Sequence, residues 1–273
     1  MTYLPHAVAG FYALGALAYL LFLFRQKNHW DRSGFYLMIA GFLLHTILIA
    51  IAFTASGQVP VHNLRETLSF AAWIFAGLFI GFQYKFQLKI LGVLAAPLAM
   101  LAMIAASFLP VDPVETQSIF NSLWLFFHII AIFIGDAAFA LACGLGIFYL
   151  IQERTIKKKR RGFFFKRLPS LERIDSTGYA SIVLGFTMLT IGLITGFAYA
   201  KAIWGRFWSW DPKEIWSGIA WLLYAALLHG RISMGWRGRK AAMMAIVGFI
   251  VLMFTFFGVN FILHGHHGEF TKW

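Results

Sequence analysis

The chain has 273 residues, of which 60% are hydrophobic, 18% aromatic and only 12% charged. Soluble domains carry about 25% charged residues, so this composition excludes an ordinary soluble protein and indicates an integral membrane protein. The 23 Lys and Arg outnumber the 11 Asp and Glu, which gives a formal net charge of +12. A single cysteine, Cys143, excludes an internal disulfide framework and a cysteine-rich metal or iron–sulfur site.

Long apolar segments run along the whole chain, and a transmembrane helix needs roughly 20 mainly apolar residues. The apolar runs are continuous rather than alternating, which excludes a β-barrel. The sequence therefore predicts an all-α, polytopic membrane bundle of about eight helices that forms one integral-membrane domain over residues 1–273. The predicted spans lie near residues 6–24, 34–53, 67–84, 88–109, 122–151, 177–199, 213–231 and 241–263.

The basic residues are concentrated in alternate connections between the predicted spans. These connections hold 18 of the 23 Lys and Arg, half of them in a basic loop at residues 152–176. The positive-inside rule then predicts that the basic loops are cytoplasmic and that both termini are extracytoplasmic. The positive net charge is mostly explained by the basic residues of the cytoplasmic connections, so no nucleic-acid partner is predicted. For the dense run at residues 157–161, binding of anionic lipid is an alternative to a simply solvated loop.

An outer loop at residues 201–216, here called the tryptophan loop, is unusually rich in tryptophan. Interfacial anchoring accounts for one or two tryptophans, but it does not explain a cluster interleaved with charged residues. Large flat apolar faces with charges at their rim predict binding of a planar macrocycle that carries carboxylate tails. The residues predicted to contact it are Trp204, Trp208, Trp210, Asp211 and Trp216, with Arg206 as a further candidate.

Asp211 has two compatible interpretations. The run Asp211-Pro212-Lys213-Glu214 is typical of a helix N-cap followed by proline at the first helical position, so this aspartate is predicted to begin the seventh span. The same carboxylate is also a candidate contact at the rim of the bound macrocycle. Both roles stay open at the level of sequence.

Histidines from two separate spans are predicted to reach the level of the tryptophan loop. Counting about 20 residues from the basic boundary of the fifth span places His128 just above the outer membrane surface. The same count along the eighth span places His264, His266 and His267 at or above that surface. This arrangement predicts axial ligation of a heme iron beside an aromatic platform. No side chain is predicted to act as an acid, a base or a nucleophile.

Two further histidines lie inside the predicted membrane. His229 falls near the cytoplasmic end of the seventh span and His45 near the middle of the second. Ionisable residues at such depths are functional candidates, although a hydrogen-bonded core histidine is a common alternative. The two differ in depth by roughly 12 Å, which makes joint ligation of one iron doubtful.

Three other residues of the predicted spans are informative about packing. Asp136 lies about one turn inside the outer edge of the fifth span, where a carboxylate is predicted to need a partner or a water-filled cavity. Gly192 and Gly196 form a small-xxx-small pair that predicts close helix contact and, by itself, no function.

The segment from Trp204 to Arg231 closely resembles the tryptophan-rich WWD signature of the cytochrome c assembly family, and most nearly its CcsA-like and HemX-like branch. The likeness extends to residues 56–68, to the helix that carries His128 and to the ending at residues 259–267. It therefore covers most of the chain from the second span onward.

This resemblance implies ligands and a cofactor. In the family, the outer histidines that flank the motif ligate heme, and they correspond to His128 and His267, with His264 and His266 as neighbouring alternatives. His229 resembles the family's transmembrane histidine, which helps to carry heme from the inner side. The implied cofactor is heme b, bound noncovalently.

The resemblance also implies a function and partners. Longer family members present heme to apocytochrome c, whose Cys-x-x-Cys-His thiols are joined to the heme vinyl groups, commonly with a CcsB-like membrane partner. The chain is thus expected to be a component of a holocytochrome c synthase, or heme lyase, in the cell inner membrane, acting beside a thiol-reducing pathway. The alternative is a HemX-like membrane regulator of heme biosynthesis without a catalytic role.

Overall fold

The computed structural model describes residues 3–110, 122–159 and 162–259. Within these ranges every regular element is helical, and eight segments are long and apolar enough to cross a membrane, so the prediction of an all-α protein with eight spans is confirmed. The helices are α1 (Tyr3–Arg25), α2 (Asn28–Ser56), α3 (Leu64–Phe86), α4 (Ile90–Phe108), α5 (Leu123–Lys157), α6 (Leu171–Trp204), α7 (Pro212–Ser233) and α8 (Arg239–Met253), and a π-helical turn (Phe254–Gly258) continues α8.

Several helices extend beyond the spans predicted from hydropathy. α5 continues to Lys157 and α6 begins at Leu171, so both ends of the predicted basic loop are helical. In the same way, α6 ends at Trp204 and α7 begins at Pro212, which leaves residues 205–211 as the irregular part of the tryptophan loop. Hydropathy falls at charged residues, but Lys, Arg and Glu are good helix formers, so the helix continues after the apolar run ends.

The helices belong to two compact units, one containing α1–α4 and the other containing α5–α8. In the first unit, the Tyr19 side chain is fully buried and packs where α2 and α4 carry glycine. A Cβ atom at Gly34 would lie 2.8 Å from the Tyr19 ring, and one at Gly92 only 2.0 Å from it. The glycines therefore create the space for this ring. The prediction of one domain over the whole chain stays a prediction.

A chain of buried and partly buried hydrogen bonds crosses all four helices of the first unit. The Tyr12 hydroxyl lies 3.2 Å from Nδ1 of His45, whose Nε2 lies 3.0 Å from Oγ of Ser69. Ser69 in turn donates to the sulfur of Met103 at 3.9 Å. A consistent assignment has Tyr12 donating to Nδ1 and Nε2 donating to Ser69, which makes His45 a neutral, fully buried core histidine.

In the second unit, α5 and α6 pack in antiparallel register along a row of glycines on α6. Phe139 of α5 lies against Gly185, where a Cβ atom would come within 2.6 Å of the ring. On the other side, the Phe139 ring stacks on Tyr224 of α7, with centroids 3.5 Å apart. These rings join three helices and form the centre of the core of this unit.

An ion pair joins three helices at the other end of this unit, away from the tryptophan loop. Arg231 near the end of α7 donates to both carboxylate oxygens of Asp175 on α6, at 3.1 and 2.7 Å. The same carboxylate accepts the backbone N–H of Gly238, immediately before α8, at 3.0 Å. The guanidinium also lies 4.3 Å above the centre of the Tyr179 ring. Bidentate geometry and partial burial make this a strong contact.

Candidate functional site

The tryptophan loop ends in a well-formed helix cap. Asp211 is the N-cap of α7, its side chain accepts the backbone N–H of Lys213 at 2.9 Å, and Pro212 occupies the first helical turn. The capping box with Glu214 is complete, and Asp211 is 5% exposed. The capping role predicted for Asp211 is therefore present in the structure, while its contact with a bound macrocycle stays a prediction.

Glu214 fastens the irregular part of the loop to the first turn of α7. Its carboxylate accepts the backbone N–H of Ser209 at 2.8 Å and the Ser209 hydroxyl at 2.9 Å. It also accepts the backbone N–H of Asp211 at 3.3 Å. Three donors on one carboxylate fix the backbone on both sides of Trp210.

Trp210 lies between these fixed residues in a conformation that a bulky side chain rarely adopts. Its φ angle is +60°, and its side chain is 75% exposed. The left-handed region costs a residue with a Cβ atom about 1–2 kcal/mol, so such a conformation is maintained by its surroundings. The indole is thereby presented to the exterior of this unit.

Trp208 packs against Trp210 and against α6. The two rings meet edge to face at 5.8 Å, and Trp208 also contacts Phe197 of α6 at 5.7 Å. The indole Nε1 of Trp208 is buried and has no hydrogen-bond partner among the residues that the structure describes. A buried donor without an acceptor is costly, and a ligand carrying an oxygen acceptor would satisfy it.

The other predicted platform residues lie around this pair. Trp204 at the end of α6 is 36% exposed and contacts the Tyr199 ring at 5.9 Å. Trp216 in α7 packs on Phe254, at the start of the π-helical turn, with centroids 4.5 Å apart. Arg206 is exposed. The structure therefore gathers the predicted tryptophans at one end of α5–α8, here called the loop end.

His128, near the start of α5, reaches the same level. Its Nδ1 lies 2.6 Å from the backbone carbonyl oxygen of Gly192. Its ring also lies beside Gly196, which directly precedes Phe197, the residue that contacts Trp208. His128 and Trp208 therefore touch consecutive positions of α6. The other predicted outer ligands, His264, His266 and His267, lie outside the described residues.

His229 lies far from the loop end. On α7 it is ~25 Å along the helix from Pro212, and its side chain is exposed. Its neighbours Leu227 and Gly230 are buried, so His229 lies on the helix face that points away from the core of this unit. Ionisable side chains within membrane-spanning helices normally face protein or a water-filled cavity, so the exposed position of His229 is unusual.

His45 belongs to the first unit, where Tyr12 and Ser69 contact both of its ring nitrogens. This arrangement favours the interpretation of His45 as a core histidine. Its role as a heme ligand stays a prediction, as does the doubt about pairing it with His229.

Asp136 on α5 has the charged partner that its depth requires. It is half-buried and interacts electrostatically with Lys213 in the first turn of α7. Lys213 interacts with Asp211 as well. The hydroxyl of Tyr224, buried and without a hydrogen bond to any described residue, is also within electrostatic range of Asp136. The Asp136 and Lys213 charges thus attract each other between α5, which carries His128, and the first turn of α7.

Comparison with known proteins decides the family. Residues 61–267 match the family described as Cytochrome C assembly protein. The chain belongs to this family. Among its relatives, a protein named Cytochrome c biogenesis protein CcsA from Chlamydomonas reinhardtii is 37% identical over 232 residues, covering 82% of this chain and 65% of that protein. The chain thus spans just under two thirds of the length of this relative.

Other members of the cytochrome c assembly family match over more of their length. The CcsA protein of Mesostigma viride is 31% identical, over 99% of this chain and 98% of the relative. That of Prochlorococcus marinus (strain MIT 9301) is 35% identical, over 82% of this chain and 80% of the relative. The fold also resembles that of Cytochrome c Heme Lyase CcmF, with a TM-score of 0.65 at 17% identity, covering 93% of this chain and 46% of that chain.

Some features of this family member were missed by sequence reasoning. The capping pattern pointed to Glu214 only as part of a helix start, and not to its bonds with Ser209. The contact of His128 with Gly192 joins two helices, and no local pattern encodes it. Among the described residues, no group of three or more His, Cys, Asp or Glu side chains forms a metal site. Axial ligation of heme needs only one or two side chains.

Proposed function

We propose that this chain holds heme at the loop end of α5–α8 and presents it to apocytochrome c. Its family handles heme in cytochrome c maturation, and its relatives are named for cytochrome c biogenesis, which argues against the alternative of a regulator of heme synthesis. One observation carries the proposal: His128 and Trp208 contact consecutive residues of α6, and Trp208 also contacts the exposed indole of Trp210. The imidazole and the two indoles thus lie at the same end of α6.

Heme is the substrate in this proposal, bound as noncovalent heme b. His128 ligates the iron from one side and His267 from the other, with His264 and His266 as alternatives to His267. Trp210 stacks on the porphyrin, the N–H of Trp208 donates to a carboxylate oxygen, and Arg206 lies near the propionates.

The reaction needs no nucleophile from this chain. Each thiol of the Cys-x-x-Cys-His motif adds across a heme vinyl group, so that sulfur bonds to the carbon next to the ring and hydrogen to the terminal carbon. Nothing is oxidised or reduced in this addition, provided that a thiol-reducing pathway supplies the cysteines as thiols. The chain contributes orientation, which is an established source of rate enhancement.

The chain is a multi-pass membrane protein, and we place it in the cell inner membrane. The basic connections are then cytoplasmic and the tryptophan loop is extracytoplasmic, where apocytochrome c is accessible. A CcsB-like membrane partner covers the exposed face of α7 and supplies the second ligand to heme at His229. In this arrangement the chain is one subunit of a holocytochrome c synthase.

The test is the visible spectrum of the purified protein, oxidised and dithionite-reduced, together with a pyridine hemochrome assay of its heme. The wild-type chain is expected to give a six-coordinate b-type spectrum. His128→Ala should remove one strong axial ligand and convert this spectrum to a five-coordinate one. His29→Ala, which changes an exposed histidine of the other unit, serves as the control. A six-coordinate spectrum that persists unchanged in His128→Ala would contradict the proposal.

His229 gives a separate prediction about the partner. His229→Ala should leave the spectrum of the isolated chain unchanged, because its ring is remote from the loop end. The same substitution should lower the heme content of the complex purified with a coexpressed CcsB-like partner. Equal heme content in wild-type and variant complexes would exclude an inner ligand role for His229.

A further inference from the structure

The ring of His128 packs against the backbone of α6 at two glycines. A Cβ atom added at Gly196 would lie 2.7 Å from Nδ1 and 2.8 Å from Cε1 of His128, closer than atoms normally approach. One turn earlier, the carbonyl oxygen of Gly192 lies 2.6 Å from Nδ1. Gly196 thus provides the space for the ring, and Gly192 provides its hydrogen-bond partner.

The chemistry of this contact determines the state of the imidazole. A carbonyl oxygen only accepts, so the hydrogen of the neutral ring resides on Nδ1 and the lone pair on Nε2. Metal-binding histidines commonly have this arrangement, in which a backbone carbonyl or carboxylate fixes both the tautomer and the ring direction. The Thr195 hydroxyl also donates to the Gly192 oxygen, at 3.0 Å, so this carbonyl lies within a small hydrogen-bonded group.

We propose that Gly196 and the carbonyl of Gly192 are positioning residues for His128, acting before heme arrives. They hold the imidazole as the Nδ1–H tautomer and set the direction of Nε2. This inference rests on the proposed function of His128 as a heme ligand. It gives the glycine pair of α6 a role beyond helix packing.

The two glycines are expected to respond differently to substitution. At Gly192 an added Cβ atom meets the end of the Ile132 side chain, with Cδ1 at 2.5 Å and Cγ1 at 2.8 Å, and this flexible end can rotate away. At Gly196 the added atom meets the imidazole itself. Gly196→Ala should therefore displace the ring directly. Gly178 of the same helix is a matched control, because its added Cβ atom would meet only Leu145 at 3.8 Å.

The first measurement uses heme-free protein in nanodiscs. Nitrogen-15 NMR of labelled histidine distinguishes the two neutral tautomers, and His128→Gln identifies the His128 signal by its loss. The wild-type signal is expected to be that of the Nδ1–H tautomer. A wild-type His128 that is charged, or that carries its hydrogen on Nε2, would overturn the proposal without any glycine variant. Gly196→Ala should lose the preference for this tautomer, whereas Gly178→Ala should keep it.

The second measurement is the dissociation constant of added heme for the same variants. Loss of a residue that orients a metal ligand typically weakens binding 10–100-fold, and about tenfold is expected for Gly196→Ala. Gly178→Ala should bind like the wild type and should elute like Gly196→Ala in size-exclusion chromatography. Unchanged affinity and tautomer in Gly196→Ala would refute the positioning role. If His128→Gln binds heme as the wild type does, the proposed function fails instead, whatever the tautomer.

Discussion

Replacing Asp136 with leucine is expected to lower the free energy of unfolding by about 2 kcal/mol, because Lys213 then keeps only Asp211 as a nearby opposite charge. The two residues interact across α5 and α7, and both are half-buried. Removing both charges should be less harmful than removing one. The double variant Asp136→Leu with Lys213→Leu is therefore expected to recover part of the lost stability.

The measurement is unfolding by SDS in bicelles, followed by tryptophan fluorescence. The matched control is another carboxylate and lysine, Glu153 and Lys157, whose atoms are 2.7 Å apart but whose lysine side chain is 63% exposed. Exposed pairs contribute about 0–1 kcal/mol, so Glu153→Leu should have little effect. If Asp136→Leu lowers the free energy of unfolding no more than Glu153→Leu does, and the double variant recovers no stability, then Asp136 and Lys213 are not coupled.

Replacing Glu214 with alanine should weaken heme binding roughly a hundredfold. The change removes a carboxylate that accepts three hydrogen bonds from Ser209 and Asp211. Hydrogen bonds to charged groups contribute about 1.5–3 kcal/mol each, and a net loss near 3 kcal/mol would leave the ordered loop sparsely populated. Binding that requires the ordered loop is weakened by the same factor, since 1.4 kcal/mol corresponds to tenfold.

Heme titration followed by absorbance gives the dissociation constants. Glu214→Gln retains an amide oxygen that accepts hydrogen bonds, so its loss of affinity should be intermediate. Glu172→Ala is the matched control, because Glu172 is an exposed glutamate in the first turn of α6, at the end of that helix remote from the tryptophan loop. Wild-type affinity in Glu214→Ala would exclude the tryptophan loop from the binding site.

The number of helices could be predicted from the sequence, because each span must satisfy its own backbone hydrogen bonds in lipid and shows this as a long apolar run. The ends of α5 and α6 could not be predicted in this way. Gln152 and Lys157, for example, lie beyond the apolar run but are still helical. Hydropathy reports the environment of a residue, whereas the helix end depends on backbone hydrogen bonds and caps.

Those parts of the candidate site that depend on residues adjacent in sequence could be predicted. Asp211 and Pro212 are adjacent in sequence, and their capping pattern follows from residue type alone. The seat of His128 on Gly192 and Gly196 depends on which faces of α5 and α6 meet, and one sequence does not specify that pairing. The left-handed backbone of Trp210 also had no sequence signal, because such a conformation is imposed by the bonds on either side of it.

The ion pair of Asp175 and Arg231 has a mechanical consequence for α5–α8. The Asp175 carboxylate joins α6, α7 and the start of α8 at one end of this unit. Helices fixed at one end can splay only at the other, and the displacement grows with distance from the fixed point. Any relative motion of these helices is therefore expected to be smallest at the ion pair and largest at the loop end.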